Sequence, residues 1–464
     1  MNKLHFLLLI FFVSCSSPNC DIVIHNGTVI DGTGSPRFIG TVAITNDKIV
    51  YVGPKKKFRA EKKIDARNKI VSPGFINMLS WGYNTLLEDG RSLSDLKQGV
   101  TLEVFGEGNS PGPVGKIGGK DFIGFGDAME KLVKSGVSPN IASFLGATNV
   151  RKLTVGYENR DATDVELKDM EQIVETGMKE GALGIGSSLI YAPADYANTN
   201  ELITICKVAS KFKGKYISHM RNEGRNVLEA LDELITISKE ANIPAEIYHL
   251  KASRKPNWFL LDSIINKVER ARKEGLKITA DVYTYPASST GLTGVIPTWV
   301  QEGGHRAWIE RMKNKKVRKR LLDDIRKELS EQPPEGILMV GFKNNSLDKM
   351  YRGKTIAEAS LMRNQSPEET IIDLVIEDDS RIQCVYYSMS EENLRKKISL
   401  PWVSFCSDAV NGLSSTPSGG FGHLPLITIL PPIIPAPGSL PTSPSITISP
   451  PVIPPPIRFP ALPW

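Results

Sequence analysis

The sequence predicts an α/β protein: a (β/α)₈ barrel of the TIM type, preceded by a small β portion and followed by a proline-rich tail. Three observations predict it. First, short β-type runs recur at 101–105, 141–145, 183–185, 216–218, 246–248, 278–282, 337–340 and 402–405, with helical patterns such as 164–180 and 309–329 between them. That alternation belongs to parallel strands joined by crossover helices. Second, two of these runs end alike, in Tyr216-Ile217-Ser218-His219-Met220-Arg221 and Glu246-Ile247-Tyr248-His249-Leu250-Lys251. Val227, Leu228, Leu231, Leu234 and Ile235 recur between them at helical spacing. A strand, a helix and a strand in so few residues form a βαβ unit with neighbouring parallel strands. Both histidines then sit at C-terminal strand ends, the edge where such folds gather ligands. Third, the rival arrangement, an open doubly wound sheet, lacks its phosphate loop: Gly106-Glu107-Gly108 has no third glycine at the fingerprint spacing.

The chain of 464 residues is long enough for a large core, and its net charge of +6 balances 57 basic against 51 acidic residues. So mild and mixed a charge gives no ground for a nucleic-acid partner, and the basic clusters at 55–57 and 313–320 are those of solvated faces. Five cysteines without a CxxC pair argue against a disulfide framework or a cysteine zinc knot.

Residues 1–20 make a signal segment: Lys3, an apolar run from Phe6 to Val13, then Ser14-Cys15-Ser16-Ser17. The run is too short to span a bilayer. A cysteine directly after it resembles a bacterial lipobox, with Cys15 lipidated, which predicts an exported lipoprotein, periplasmic or attached to the outer membrane through its lipid anchor. An ordinary signal peptide with an incidental cysteine is the other reading. From 21 to 72 the pattern is β, with strands expected at 21–24, 27–30, 41–44 and 49–52 and a turn at Asn46-Asp47, the texture of a small antiparallel sheet. The barrel is expected over 73–423. Fifteen of the 31 prolines lie at 417 or beyond, and Arg458 is the only Asp, Glu, Lys or Arg after Asp408. Such a density excludes helices and central strands. The tail at 424–464 is read as disordered or aberrant, such as a shifted frame, against a genuine proline-rich extension.

Several segments together resemble the N-acyl-D-amino-acid deacylases (D-aminoacylases) of the amidohydrolase superfamily. They are 26–34, Pro73-Gly74-Phe75-Ile76, 99–104, Leu189-Ile190-Tyr191-Ala192-Pro193, Ser218-His219-Met220-Arg221, His249-Leu250-Lys251, 287–292 and Ser407-Asp408, in family order over 21–423. The resemblance implies a metal-dependent barrel and a small β-sandwich built from both chain ends, whose C-terminal strands are missing here. It also exposes departures. The family follows Pro-Gly-Phe-Ile with Asp-x-His-x-His, where Leu79 and Trp81 stand in the two metal-ligand positions. Gly106-Glu107-Gly108-Asn109 stands where a cysteine ligand is usual, and Gly422-His423 is followed by Leu424-Pro425.

A catalytic zinc takes three protein ligands and keeps one position for water. His219, His249 and Glu107 are the expected ligands of one zinc; Glu107 has the alternative of pairing with a base such as Arg221. The resemblance assigns Asp408 the proton transfers of amide hydrolysis. Lys251 is a candidate for a substrate carboxylate or for a salt bridge, and Tyr191, Tyr283 and Ser289 fall in family-like motifs that imply substrate contacts. The expected function is a zinc-dependent hydrolase of an N-acyl amino acid, of D configuration. The alternative is a non-catalytic surface lipoprotein that uses the barrel for binding, the direction in which Leu79 and Trp81 point.

Overall fold

A computed structural model describes residues 17–410; Cys15, most of the signal segment and the tail at 424–464 lie outside the described residues. The chain begins with β1 (Asn19–Val29), β2 (Phe38–Thr45) and β3 (Lys48–Pro54), an antiparallel meander. Two more strands, β4 (Arg59–Asp65) and β5 (Ile70–Val71), add to β1 in parallel, so the sheet is not wholly antiparallel. The strands expected at 21–24 and 27–30 are one strand. Asn26 adopts φ 65° and the pairing with β2 skips a residue between His25 and Gly27. This bulge lets the strand continue through the break expected between 24 and 27. Gly27 is required there, because a Cβ would lie 2.5 Å from Val71 Cγ2.

A wholly parallel ladder begins with β6 (Phe75–Asn77), β7 (Val100–Phe105) and β8 (Asn140–Ser143). After Phe144 the same run resumes as β9 (Leu145–Gly146), which opens a second parallel ladder through β10 (Gly184–Ser188), β11 (Lys215–His219), β12 (Ala245–Ile247) and β13 (Ile278–Val282). The chain then leaves this ladder for a separate antiparallel sheet of β14 (Ser288–Gly291), β15 (Ile337–Gly341) and β16 (Gln383–Tyr386). It returns at β17 (Val403–Phe405), which pairs with β13. Backbone bonds from Met78 N–H to Phe405 O (3.2 Å) and from Asp408 N–H to Leu79 O (2.9 Å) tie the end of β6 to the end of β17.

One expected barrel strand is therefore displaced. The run at 337–340 is β15, in the inserted sheet, and the parallel set takes β6 in its place. The insertion packs a core of its own, with Leu292, Trp308, Ile325, Met339, Ile371 and Cys384. Its apolar runs satisfy a strand pattern without showing which sheet they join.

The helix Val227–Glu240 buries Val227, Ala230, Leu231, Leu234 and Ile237 in a cluster shared with Tyr216, Ala245 and Ile247. The expected stripe is present, turned slightly so that Leu228 and Ile235 lie at its margin. The helix Ala147–Thr154 is anchored differently. Arg151, 1% exposed, donates to Glu201 Oε2 at 2.5 Å and to the carbonyl of Arg160. Truncating one partner of such a pair strands the other charge in the interior. Arg151→Ala is expected to lose about 3–5 kcal/mol, read as a lower urea midpoint at unchanged slope. Among the described residues no helix is long and apolar enough to cross a membrane.

Candidate metal centre

The site is built at the C-terminal ends of β7, β11 and β12. Gly106, at φ 114°, turns the chain beside Phe144, where a Cβ would lie 2.4 Å from the Phe144 carbonyl oxygen. The turn delivers Glu107. On β11 the strand ends at His219; His249 follows β12 with φ 37°, its backbone N–H donating to Asp281 Oδ1 at 2.7 Å. As β11 and β12 pair in parallel, the two imidazoles meet edge to face, ring centroids 4.5 Å apart.

Glu107 joins them. Its Oε1 lies 2.7 Å from His219 Nδ1 and 3.1 Å from His249 Nε2, and one ligand atom from each of the three residues falls within 4.8 Å of the others. All three are buried. Arg221 is engaged elsewhere, with Glu233 and the carbonyls of Asp195 and Ala197, and does not pair with Glu107. Burial alone would raise the Glu107 carboxyl, but the His219 hydrogen bond and the His249 charge outweigh it and hold it near 2. Burial drives His219 the other way, below its ordinary value. Its Nε2 makes no hydrogen bond, with Glu223 Oε2 at 3.4 Å. Two imidazoles and a carboxylate, buried together with their ligand atoms within 4.8 Å of one another, form a donor set that fits a zinc-like cation.

A second carboxylate organises the far side of His249. Glu223 Oε1 lies 3.0 Å from His249 Nδ1 and accepts from Lys251 Nζ at 2.8 Å. Lys251 is thus in the salt bridge, with its ammonium 5.4 Å from the Tyr283 ring centroid. Buried ring partners of this kind fix the orientation of a metal-binding imidazole.

Asp408 lies beyond the last strand, at φ 48°, and lines the same cavity of about 530 Å³ as Glu107, His219, His249, Lys251, Tyr191, Tyr283 and Ser289. Its Oδ1 accepts from Trp81 Nε1 at 3.0 Å. Burial, then the nearby Glu107, pushes its carboxyl up to about 7. Trp81 therefore stays in the site as a hydrogen-bond donor, while Leu79, 1% exposed, packs beneath it against Tyr248, Tyr283 and Cys406. Tyr191 donates to Thr290 Oγ1 at 2.9 Å and sets its ring against His219; Tyr283 stacks on Tyr285 and its hydroxyl has no partner; Ser289 donates to the Cys384 carbonyl at 3.1 Å.

No family model matches the chain. A D-aminoacylase from Alcaligenes xylosoxydans xylosoxydans is 30% identical over 285 residues, 59% of this chain and 59% of that protein. The match thus spans less than two thirds of the relative. A crystal structure of D-aminoacylase, reported as defining a novel subset of amidohydrolases, superposes with a TM-score of 0.68 at 26% identity, over 84% of this chain and 76% of that one. The chain is similar in sequence and in fold to D-aminoacylases. A further D-aminoacylase structure, with the same score, identity and coverage, concerns a binuclear metal centre with one-metal activation and second-metal attenuation.

Four groups of this D-aminoacylase relative's cavity escaped the sequence reading: Glu223, Arg381, Thr148 and Lys152. Glu223 stands four residues after His219, in a loop where no periodicity marks it. Arg381 arrives from the inserted sheet, just before β16, and its guanidinium lies 5.1 Å from the Tyr191 ring centroid. Trp81 was legible only as the loss of a ligand, because its bond to Asp408 joins residues 327 apart.

Proposed function

We propose that this chain is a metal-dependent amide hydrolase that cleaves N-acyl amino acids of D configuration, with one zinc held by Glu107, His219 and His249. The observation that carries the reading is the buried triad at three strand ends, with Asp408 in the same cavity. The relatives' names supply the substrate class, D-aminoacylase and N-acyl-D-glutamate deacylase. When bound, zinc would supply an acidified water and a polarised amide carbonyl. Asp408 takes the proton of the attacking water on its carboxylate and returns it to the leaving amine nitrogen, while Trp81 Nε1–H holds Oδ1 in place. A carboxyl near 7 suits both the acceptance and the return. Arg381 anchors the substrate α-carboxylate, since it lines the cavity and has no carboxylate partner among the described residues. Tyr191, Tyr283 and Ser289 line the cavity around it, and Glu223 keeps Lys251 and His249 aligned.

The same reading extends to the fold and the location. The tie between β6 and β17, with the shared run of β8 and β9, supports an eight-stranded barrel over 73–423. Cys15 is the proposed lipidation site that places the protein at the bacterial envelope. The activity is tested by zinc analysis together with a screen of N-acyl-D- and N-acyl-L-amino acids; zinc-bearing protein that turns over none of them overturns it. For the anchor, cells fed a fatty-acid analogue are expected to label the wild type and not Cys15→Ala, and equal labelling of the two would refute lipidation there.

A further inference from the structure

The mild net charge of the chain is not evenly mixed. From Asp47 to Lys69 stand nine Lys or Arg against three Asp or Glu, a difference of +6. That equals the net charge of all 464 residues, so the rest of the chain is balanced. All nine basic side chains are exposed, and among the described residues only Arg67 forms an ion pair, with Asp65. The basic cluster at 313–320 is different, because Lys313, Arg318 and Arg320 are paired with Glu310, Asp373 and Asp324.

The stretch covers β3, β4 and the crossover between them. In sequence the lysines at 55–57 are those of a solvated face; in the structure they cross one face of the N-terminal sheet. Lys56 N–H donates to Thr41 Oγ1 at 3.2 Å, and its ammonium lies 5.0 Å from the Tyr51 ring centroid. Ile39, Thr41 and Ala43 alternate onto that face of β2, where Ala43 pairs with Tyr51. Thr28 pairs with Ile39 on one side and with Ile70 on the other, so both isoleucines project there as well. They are 70% and 64% exposed. Lys63 joins the same face, since it pairs with Val23 and Val23 pairs with Ala43. Lysines interleaved with exposed isoleucines suit the headgroup region of a bilayer, where ammonium groups meet lipid phosphates and apolar side chains enter the acyl boundary. Single-stranded nucleic acid is instead gripped by stacking on open aromatic rings, and Tyr51 and Phe58 lie under Lys56. The chain enters the sheet beside this stretch: the Pro18 carbonyl accepts from Arg59 N–H at 3.0 Å. The three residues back to Cys15 span at most about 10 Å.

We propose that this face of the sheet docks on a bilayer rich in anionic phospholipid, with its lysines against the headgroups and Ile39 and Ile70 at the acyl boundary. Its place at the envelope rests on the Cys15 reading; its affinity for anionic lipid does not.

The test uses the full chain carrying Cys15→Ser, so that no lipid is attached there. It is titrated with vesicles of phosphatidylethanolamine and phosphatidylglycerol, and with neutral vesicles of phosphatidylethanolamine and phosphatidylcholine. The apolar run at 6–13 contributes to both, which leaves the ratio of the two affinities to the charges. Each basic residue near an anionic surface is worth about fivefold, so three in contact predict a ratio of about a hundredfold at low salt. Lys55→Glu, Lys57→Glu and Lys63→Glu together should bring it near one, as should salt of about 1 M, where the screening length is about 3 Å. The matched reversal Lys315→Glu, Lys316→Glu and Lys319→Glu should leave it unchanged. A ratio near one before any change on the sheet, or one that survives the first triple change, overturns the proposal. Tighter binding to a single-stranded DNA oligonucleotide than to the anionic vesicles would assign the lysines to nucleic acid and overturn it too. So would a dimer that Ile39→Ser with Ile70→Ser dissolves, which assigns the face to a second copy. Anionic-lipid binding by this chain, beside wild-type cells that leave Cys15 unlabelled, would keep the docking face and remove the anchor.

Discussion

Replacing Asp408 by asparagine is expected to lower kcat by about a thousandfold while zinc content and melting temperature stay near those of the wild type. The substitution changes little except proton chemistry. Asparagine tolerates the positive φ of 48° that the position requires. The backbone bond to Leu79 is retained, and the side-chain oxygen still accepts from Trp81 Nε1. What disappears is a carboxylate able to take a proton at one stage and release it at the next. Loss of a positioned general acid–base group typically costs about 10²–10⁴ in rate. Steady-state kinetics on zinc-matched protein decide the point: a kcat within threefold of wild type would remove Asp408 from the chemistry.

His249→Ala is expected to abolish both zinc retention and turnover, and His219→Ala to do the same. Wild-type protein should hold about one zinc per chain after gel filtration. Each histidine supplies one of the three proposed donors, and each also holds Glu107, whose Oε1 both rings contact. Taking away either ring leaves a buried carboxylate short of a partner as well as a metal short of a ligand. A stoichiometry near two would overturn the proposal of a single zinc. Leu79 is sealed into apolar packing and the Trp81 indole is committed to Asp408, so neither serves a second ion. Wild-type protein that retains no zinc would remove the metal altogether.

The part of this site that was legible in the sequence is the part made by repetition. His219 and His249 each close a β-type run, and a helical stripe lies between them, so parallel pairing forces them together. Glu107 was legible for the same reason, as a residue just past a strand end. Glu223, Lys152 and Arg381 come from a loop, a helix and an inserted sheet, and their meeting depends on packing that no local pattern encodes. The errors have the same origin. The run at 337–340 carries β-branched and apolar residues suited to any strand, and only the separate core of the insertion decides that it pairs with β16. The break expected between 24 and 27 has the same cause. Ala66 and Val71 crowd Gly27 so closely that the chain runs on through it as a bulge.

The tie between β6 and β17 also sets a timetable for biosynthesis. The Asn77 side chain donates to Ser407 across a separation of 330 residues, so β6 leaves the ribosome long before its final neighbour exists. At roughly 5–20 residues per second, that wait is on the order of tens of seconds. Through that interval the nascent chain carries β6 and β7 with one ladder edge unmet, and Asp408 has not yet been translated. The cavity that Asp408 lines is therefore among the last features a newly made molecule can complete, and a chaperone that shields the β6 edge would act in that window.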